Sequence, residues 1–283
     1  MIKEVKKYAL GLEYIGTNLK GWQRQKKGHT TVQDIVEKSL SKFLDQKIST
    51  ICSGRTDSGV HALNQTVHFE TSKSRTDESF LKGLNSLMGP QVKAIWIKKV
   101  DKDFSARFSA IKRRYRYVIE ERSTGSVFSS NYSLSVQKKI NVSKLKKASK
   151  FLIGENNFSS FRSSSCQSHS PFRNIESIKI SRKGEFIFFD ITGNAFLHNM
   201  IRIIMGTLIM ISDDNLNPDI MKKILAAKDR NLAGKTITSK GLFYFGPEYP
   251  KEMKIPCINF EHSSFTVSHT HLRAHETYRD LVC

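Results

Sequence analysis

Apolar residues along the first 250 positions recur in two rhythms, every second residue or every third and fourth, and the rhythms alternate in the same order twice. That order constrains the fold more than any other feature. Residues 7–14 alternate, with Tyr8, Leu10, Leu12 and Tyr14 on one face, which predicts a strand. Thr30 and Gln33 have capping-box spacing, and Val32, Ile35, Val36, Leu40, Phe43 and Leu44 then follow a helical period. Residues 48–53 and 65–71 read as strands flanking a glycine-bounded loop. Phe80, Leu81, Leu84 and Leu87 mark a second helix, and residues 92–100 a closing strand. The order is β-α-β-β-α-β.

The second half repeats that order without repeating its sequence. Residues 113–121 form a strand carrying Tyr115, Tyr117 and Ile119 on one face. Val142, Leu145, Ala148, Phe151 and Leu152 keep a helical period, and Gly154 suits the position just past a helix end. Residues 175–180 and 185–192 read as a hairpin turning at Lys183-Gly184. Residues 197–212 are a nearly all-apolar helical stretch, read as buried, and Asn217-Pro218 starts another helix. Residues 242–245 close the series. The expected class is α+β, with two ferredoxin-like (RRM-like) modules whose sheets join edge to edge around a central cleft. The boundaries expected are 1–110, 111–255 and a histidine-rich tail over 256–283 with no sustained period.

Lys and Arg number 46 against 26 Asp and Glu, a net charge of +20, which points to a polyanionic partner. No run of 18 apolar residues appears and the first residues lack a signal-peptide stretch, so nucleic acid is expected rather than membrane, in an intracellular setting. Cys52, Cys166, Cys257 and Cys283 have no C-x-x-C spacing, so neither a zinc site nor a disulfide framework is expected. His61, His68 and His198 read as structural histidines rather than metal ligands. Neither a phosphate-binding nor a dinucleotide-binding glycine motif is present, and no cofactor is expected.

Between the second and third strands lies Gly54-Arg55-Thr56-Asp57-Ser58-Gly59-Val60-His61-Ala62. Its glycines permit a tight turn that projects Asp57 outward, and Arg55 is near enough in sequence to hold that carboxylate ionised. The string resembles the signature of the tRNA pseudouridine synthase A family, with Ser58 where the family usually has alanine. Four further segments resemble the same family. They are residues 13–17 running on to 21–25; Phe104-Ser105-Ala106-Arg107-Phe108-Ser109-Ala110 leading into 113–117; 154–158 through Phe161-Arg162 and on to Cys166-Gln167-Ser168; and Asn194-Ala195-Phe196-Leu197-His198-Asn199-Met200-Ile201-Arg202. Gly241-Leu242 is a shorter match.

The resemblance implies a cytoplasmic homodimer that isomerises uridine to pseudouridine at positions 38, 39 and 40 of the tRNA anticodon stem-loop. It implies that Asp57 is the nucleophile, attacking C1′ of the ribose or C6 of the ring, two routes the sequence leaves open. Arg55 is implied to occupy the space of the flipped base, and Tyr115 to pack on the uracil and assist a late proton removal. Arg202, in an apolar helix, is implied to pair with Asp57. Phe104, Arg107, Phe108, Gln167, Ser168 and Leu242 are implied substrate contacts. Arg113, Arg114 and Arg116 beside Tyr115 suggest an RNA-facing strand. The same chemistry at other RNA positions is the near alternative. A non-catalytic pair of RRM-like modules would show the aromatic RNA-binding signature, which is missing. A phosphoryl-transfer enzyme would want a second carboxylate near Asp57 for magnesium, and the next acidic residue downstream is Glu70.

Overall fold

The computed structural model describes residues 4–25, 28–212, 216–258 and 260. The first half contains β1 (Lys6–Tyr14), α1 (Val32–Leu44), β2 (Ile51–Cys52), β3 (His61–Thr71), α2 (Asp77–Leu87) and β4 (Val92–Val100). The second contains β5 (Lys112–Glu121), β6 (Leu134–Val136), α3 (Val142–Ser149), β7 (Gly154–Asn157), β8 (Phe172–Lys183), β9 (Phe186–Gly193), α4 (Met200–Ile211), α5 (Ile220–Ala227) and β10 (Leu242–Glu248). All ten strands belong to one mixed sheet of order β4-β1-β3-β10-β5-β9-β8-β7, with β2 on β3 and β6 on β5. Most pairs are antiparallel. The halves join through a short parallel pairing of β3 with β10, at His61 opposite Phe243 and Ala62 opposite Tyr244.

Local chemistry moves several boundaries from those expected. The cap of α1 is Thr31 rather than Thr30: its hydroxyl oxygen accepts from the Asp34 N–H and its hydroxyl donates to Asp34 Oδ2. Gln33 instead accepts from the Arg24 N–H and donates to Glu37. β2 shrinks to two residues, because Thr50 is held by the buried Glu37 carboxylate instead of a strand partner. The β8–β9 hairpin turns at Gly184-Glu185, one residue later than expected, since Lys183 already pairs with Phe186. α4 starts at Met200 because Asn199 adopts the left-handed conformation, φ 61°. Gly154 does follow the last helical turn, at φ +91°.

The principal core lies between the helices and one face of the sheet, with Leu10, Leu12, Val36, Leu40, Phe80, Tyr117, Phe161 and the apolar side of α4 fully enclosed. The opposite face carries two smaller clusters. One joins Ala9, Phe104, Ala106 and Tyr249; the other joins Val118, Phe186, Phe188, Phe243 and Phe245. The region expected as a tail from residue 256 begins inside this second face: Asn64 donates to the Pro256 carbonyl, and Ile258 and Phe260 pack on the second cluster. Residues 259 and 261–283 lie outside the described residues.

α4 is clamped to the segment before β10 at backbone contact. A Cβ on Gly206 would meet the Lys235 carbonyl oxygen at 1.9 Å, and Gly234 faces Gly206 in return. Thr207 donates its hydroxyl to the Ile203 carbonyl and accepts the Gly234 N–H. In an open helix Gly→Ala stabilises by about 1 kcal/mol. Here Gly206→Ala is expected to destabilise by about 1–3 kcal/mol through overpacking. A thermal melt of the variant checks this; an unchanged or higher melting temperature contradicts the clamp.

Candidate active site

The loop from Ser53 to Val60 is built against the chain that follows β1. Trp22 donates its N–H to the Thr56 carbonyl, and Gly59 donates to the Leu19 carbonyl. Gly21, at φ +81°, lets these backbones close: a Cβ there would sit 2.7 Å from the Thr56 oxygen. Beneath the loop runs a buried polar network. Tyr14 and Thr56 hydroxyls are 2.8 Å apart, and Gln65 donates to the Gly54 carbonyl. Ser53 donates to Gln65 Oε1, which leaves its oxygen to accept from the Tyr244 hydroxyl of the other half at 2.9 Å. Burial pushes the Tyr14 and Tyr244 hydroxyls far above their ordinary range, so both stay protonated as donors.

Asp57 emerges from this platform with its side chain 28% exposed. Its neighbours come from the turn into α4: His198 Nε2 lies 3.3 Å from Oδ1, and Arg202 Nη1 lies 4.0 Å from Oδ2. Arg202 is anchored elsewhere, donating from Nε to the Ile237 carbonyl at 2.7 Å and from Nη1 to Asn199 Oδ1 at 2.6 Å. The left-handed Asn199 is what turns its amide oxygen back toward that guanidinium. Arg55 does not hold Asp57 as expected. Its side chain is exposed, with no hydrogen bond or ion pair among the described residues, because the carboxylate is turned toward α4 across the β3–β10 join. The resulting arrangement is a seated carboxylate beside an imidazole and a guanidinium, with a second guanidinium two residues away in the chain.

Tyr115 lies opposite Tyr244 on β10 and Ile191 on β9. Its ring meets Phe196 edge-on at 5.3 Å and Tyr244 at 4.8 Å. Burial first, then the neighbouring Tyr244 hydroxyl and Asp57 carboxylate, push its hydroxyl far above the ordinary tyrosine range. A hydroxyl so shifted stays protonated at neutral pH and can donate a hydrogen bond.

The other expected site residues divide. Phe108 is 80% exposed, with the Arg107 guanidinium 5.2 Å from its ring centre. Gln167 is also exposed. Phe104 and Leu242, each 4% exposed, are packing residues: Phe104 against Tyr249 and His68, Leu242 within the main core. Ser168 is tied into its own loop by Arg162 and Arg173. Strand alternation splits the three arginines expected to face RNA: Arg113 shares the face of Tyr115, whereas Arg114 and Arg116 do not. Arg114 and Arg116 turn to the back of the sheet, where Arg116 makes a buried two-pronged pair with Asp190 at 2.6 and 2.8 Å. Arg113 is a clamp, donating to the Ser53, Arg107, Ala110 and Asn194 carbonyls, and so holds three of the site segments together.

His198 was not singled out from sequence as a site residue, although it precedes Arg202 by one helical turn. His61 and His68 are structural. His61 accepts the Gly16 N–H at Nδ1 and donates from Nε2 to the Asn131 and Lys240 carbonyls; His68 accepts the Ala106 N–H. Burial lowers the pKa of both. Each therefore contributes stability above the unfolded value of about 6.5 that is lost as pH falls toward the folded value. Melting temperature is expected to drop between pH 7 and 5.5, and His61→Gln to flatten that slope; equal slopes in both proteins would contradict it.

Residues 12–109 and 148–250 match the family described as tRNA pseudouridine synthase. A tRNA pseudouridine synthase A of Buchnera aphidicola subsp. Schizaphis graminum is 46% identical over 254 residues, covering 90% of this chain and 96% of the relative. Those of Francisella philomiragia and Colwellia psychrerythraea are 43% and 41% identical, covering 87% and 88% of this chain and 95% and 96% of theirs. Among solved structures, a chain of a Cbf5-Nop10-Gar1 complex aligns at 10% identity with a TM-score of 0.37, over 84% of this chain and 48% of that one, so this chain spans under half its length. On the family match and on these relatives together, the chain belongs to the tRNA pseudouridine synthase family.

Proposed function

We propose that this family member isomerises uridine at positions 38, 39 and 40 of the tRNA anticodon stem-loop, with Asp57 as nucleophile. The observation that carries the reading is the Asp57 carboxylate, part-exposed on a rigid loop with His198 and Arg202 within 4.0 Å. Attack by a carboxylate oxygen on C1′ or C6 is followed by cleavage of the C1′–N1 bond. The uracil turns, C5 bonds to C1′, the carboxylate is released, the C5 proton leaves and N1 takes up a proton, so that product and substrate are isomers. Electrons balance without a redox partner. A paired uridine must leave its stack first, and the unpaired guanidinium of Arg55 is the group free to enter the gap and contact phosphate. Tyr115 serves as a packed ring and hydrogen-bond donor beside the turning base.

The same reading takes residues 1–110 and 111–255 as two ferredoxin-like modules. It is supported by the matching strand orders β4-β1-β3-β2 and β10-β5-β9-β8. A homodimer and a cytoplasmic setting belong to it as well, in keeping with the bacterial relatives; no helix among the described residues is long and apolar enough to cross a membrane. The test maps pseudouridine in tRNAs carrying a single uridine at 38, 39 or 40. Modification is expected at each of the three, and Arg55→Ala should lower kcat far more than it weakens tRNA binding, since one phosphate contact is a small share of the affinity. Modification confined to other positions, or normal turnover of Arg55→Ala on a paired uridine, overturns the corresponding part.

A further inference from the structure

The Ser163–Ser170 loop and the turn into α4 meet at one imidazole. Ser165 Oγ lies 3.0 Å from His198 Nδ1, and Ser163 Oγ lies 3.1 Å from Ser165 Oγ. The Ser163 N–H donates to the His198 carbonyl. On the ring's other side, Nε2 stands 3.3 Å from Asp57 Oδ1. We propose that His198 is a positioning residue for Asp57, and that Ser165 sets its tautomer so that the 163–170 loop and the nucleophile act as one unit. The proposal rests on Asp57 being the nucleophile.

The hydrogen-bond directions follow from the inventory of donors. A carboxylate only accepts, so a neutral imidazole beside it must carry its proton on Nε2. Nδ1 is then an acceptor, and the Ser165 hydroxyl must donate to it. That leaves Ser165 Oγ to accept from the Ser163 hydroxyl. The hydrogen bonds therefore run one way, Ser163 to Ser165 to His198, and leave Nε2–H on the side of Asp57 Oδ1. A hydrogen-bonded partner on the far nitrogen fixes the ring's tautomer and orientation.

The two oxygens of Asp57 are consequently unlike. Oδ1 has an imidazole donor within reach, whereas the Arg202 nitrogen nearest Oδ2 is 4.0 Å away and already donates to Asn199. Oδ2 keeps its lone pairs and is the oxygen left to attack. His198 thereby holds the carboxylate's rotation without occupying the attacking atom. In a substrate-free site such contacts are commonly long and tighten once substrate is seated. The loop that would tighten this one also carries the exposed Gln167, so RNA seated there would press on the same element that orients Asp57.

The test compares His198→Ala, His198→Gln, Ser165→Ala and the Ser165→Ala/His198→Ala double variant by release of tritium from uracil C5 in tRNA, each with a binding titration and a thermal melt. Asp57→Asn runs alongside. His198→Ala should lower kcat by about 10–100-fold, the range for removing a group that orients a functional one, with tRNA affinity within about two-fold. His198→Gln, whose amide N–H can replace Nε2–H, should recover most of the loss. Ser165→Ala should cost less, and should cost nothing further once His198 is alanine, because it acts only through the ring. A kcat for His198→Ala within two-fold of the parent, a glutamine variant no better than alanine, or additive losses in the double variant each overturn the proposal. Full activity in Asp57→Asn would instead overturn the nucleophile assignment beneath it, a separate failure.

Discussion

The site exists because β3 and β10 pair across the two halves of the chain. That parallel ladder covers only His61–Phe243 and Ala62–Tyr244, yet His61, Phe243 and Tyr244 each make a side-chain contact that helps join the halves. His61 ties the first half to the Asn131 and Lys240 carbonyls and stacks on Phe243 at 4.7 Å. Tyr244 reaches under the Asp57 loop to Ser53. Without this join the carboxylate would belong to one half and His198, Arg202 and Tyr115 to the other. So few ladder hydrogen bonds cannot fix such a geometry alone. The buried tyrosines, Ser53 and Gln65 supply the rest, since a buried polar network is stable only with every partner in place.

Charge is arranged with similar economy. Arg202 enters through a helix whose other side is core, and its two hydrogen bonds among the described residues go from Nε to Ile237 and from Nη1 to Asn199 rather than to Asp57. The guanidinium stands 4.0 Å from one oxygen of Asp57 and does not tie it in a two-pronged salt bridge. The contrast is Arg116–Asp190 on the back of the sheet, where both carboxylate oxygens are held and the pair is buried among Phe188, Phe245 and Phe260. That pair is structural. Asp57 keeps one oxygen open.

Period and spacing made much of the fold legible. Strands such as Val92–Val100 and the buried helix around Met200–Ile211 are written in their apolar rhythm. The cap at Thr31 was not, since Thr30 and Thr31 both precede the helix and only the local Thr31–Asp34 contact chooses between them, and the short β2 was not, since it depends on Glu37 meeting Thr50 across the intervening chain. Asp57 was legible from its glycine-bounded loop. Arg202 is placed beside Asp57 as the resemblance implies, whereas Arg55 is not, because nearness in sequence says nothing of which way a turn throws its side chains. His198 was passed over because a lone histidine is usually structural, as His61 and His68 are. Arg114 and Arg116 were read as RNA contacts from charge alone, although the alternation that put Tyr115 inward already placed them on the other face.

The account stands on Asp57 being the group that bonds covalently to the uridine. An amide of the same shape cannot serve as that nucleophile, while the basic residues that hold the RNA are unaffected by the change. The most direct measurement is tritium release from C5-labelled uracil in tRNA by Asp57→Asn, beside a binding titration. The account predicts no release above background with tRNA binding equal to or slightly tighter than the parent's. Sustained release by Asp57→Asn would contradict it.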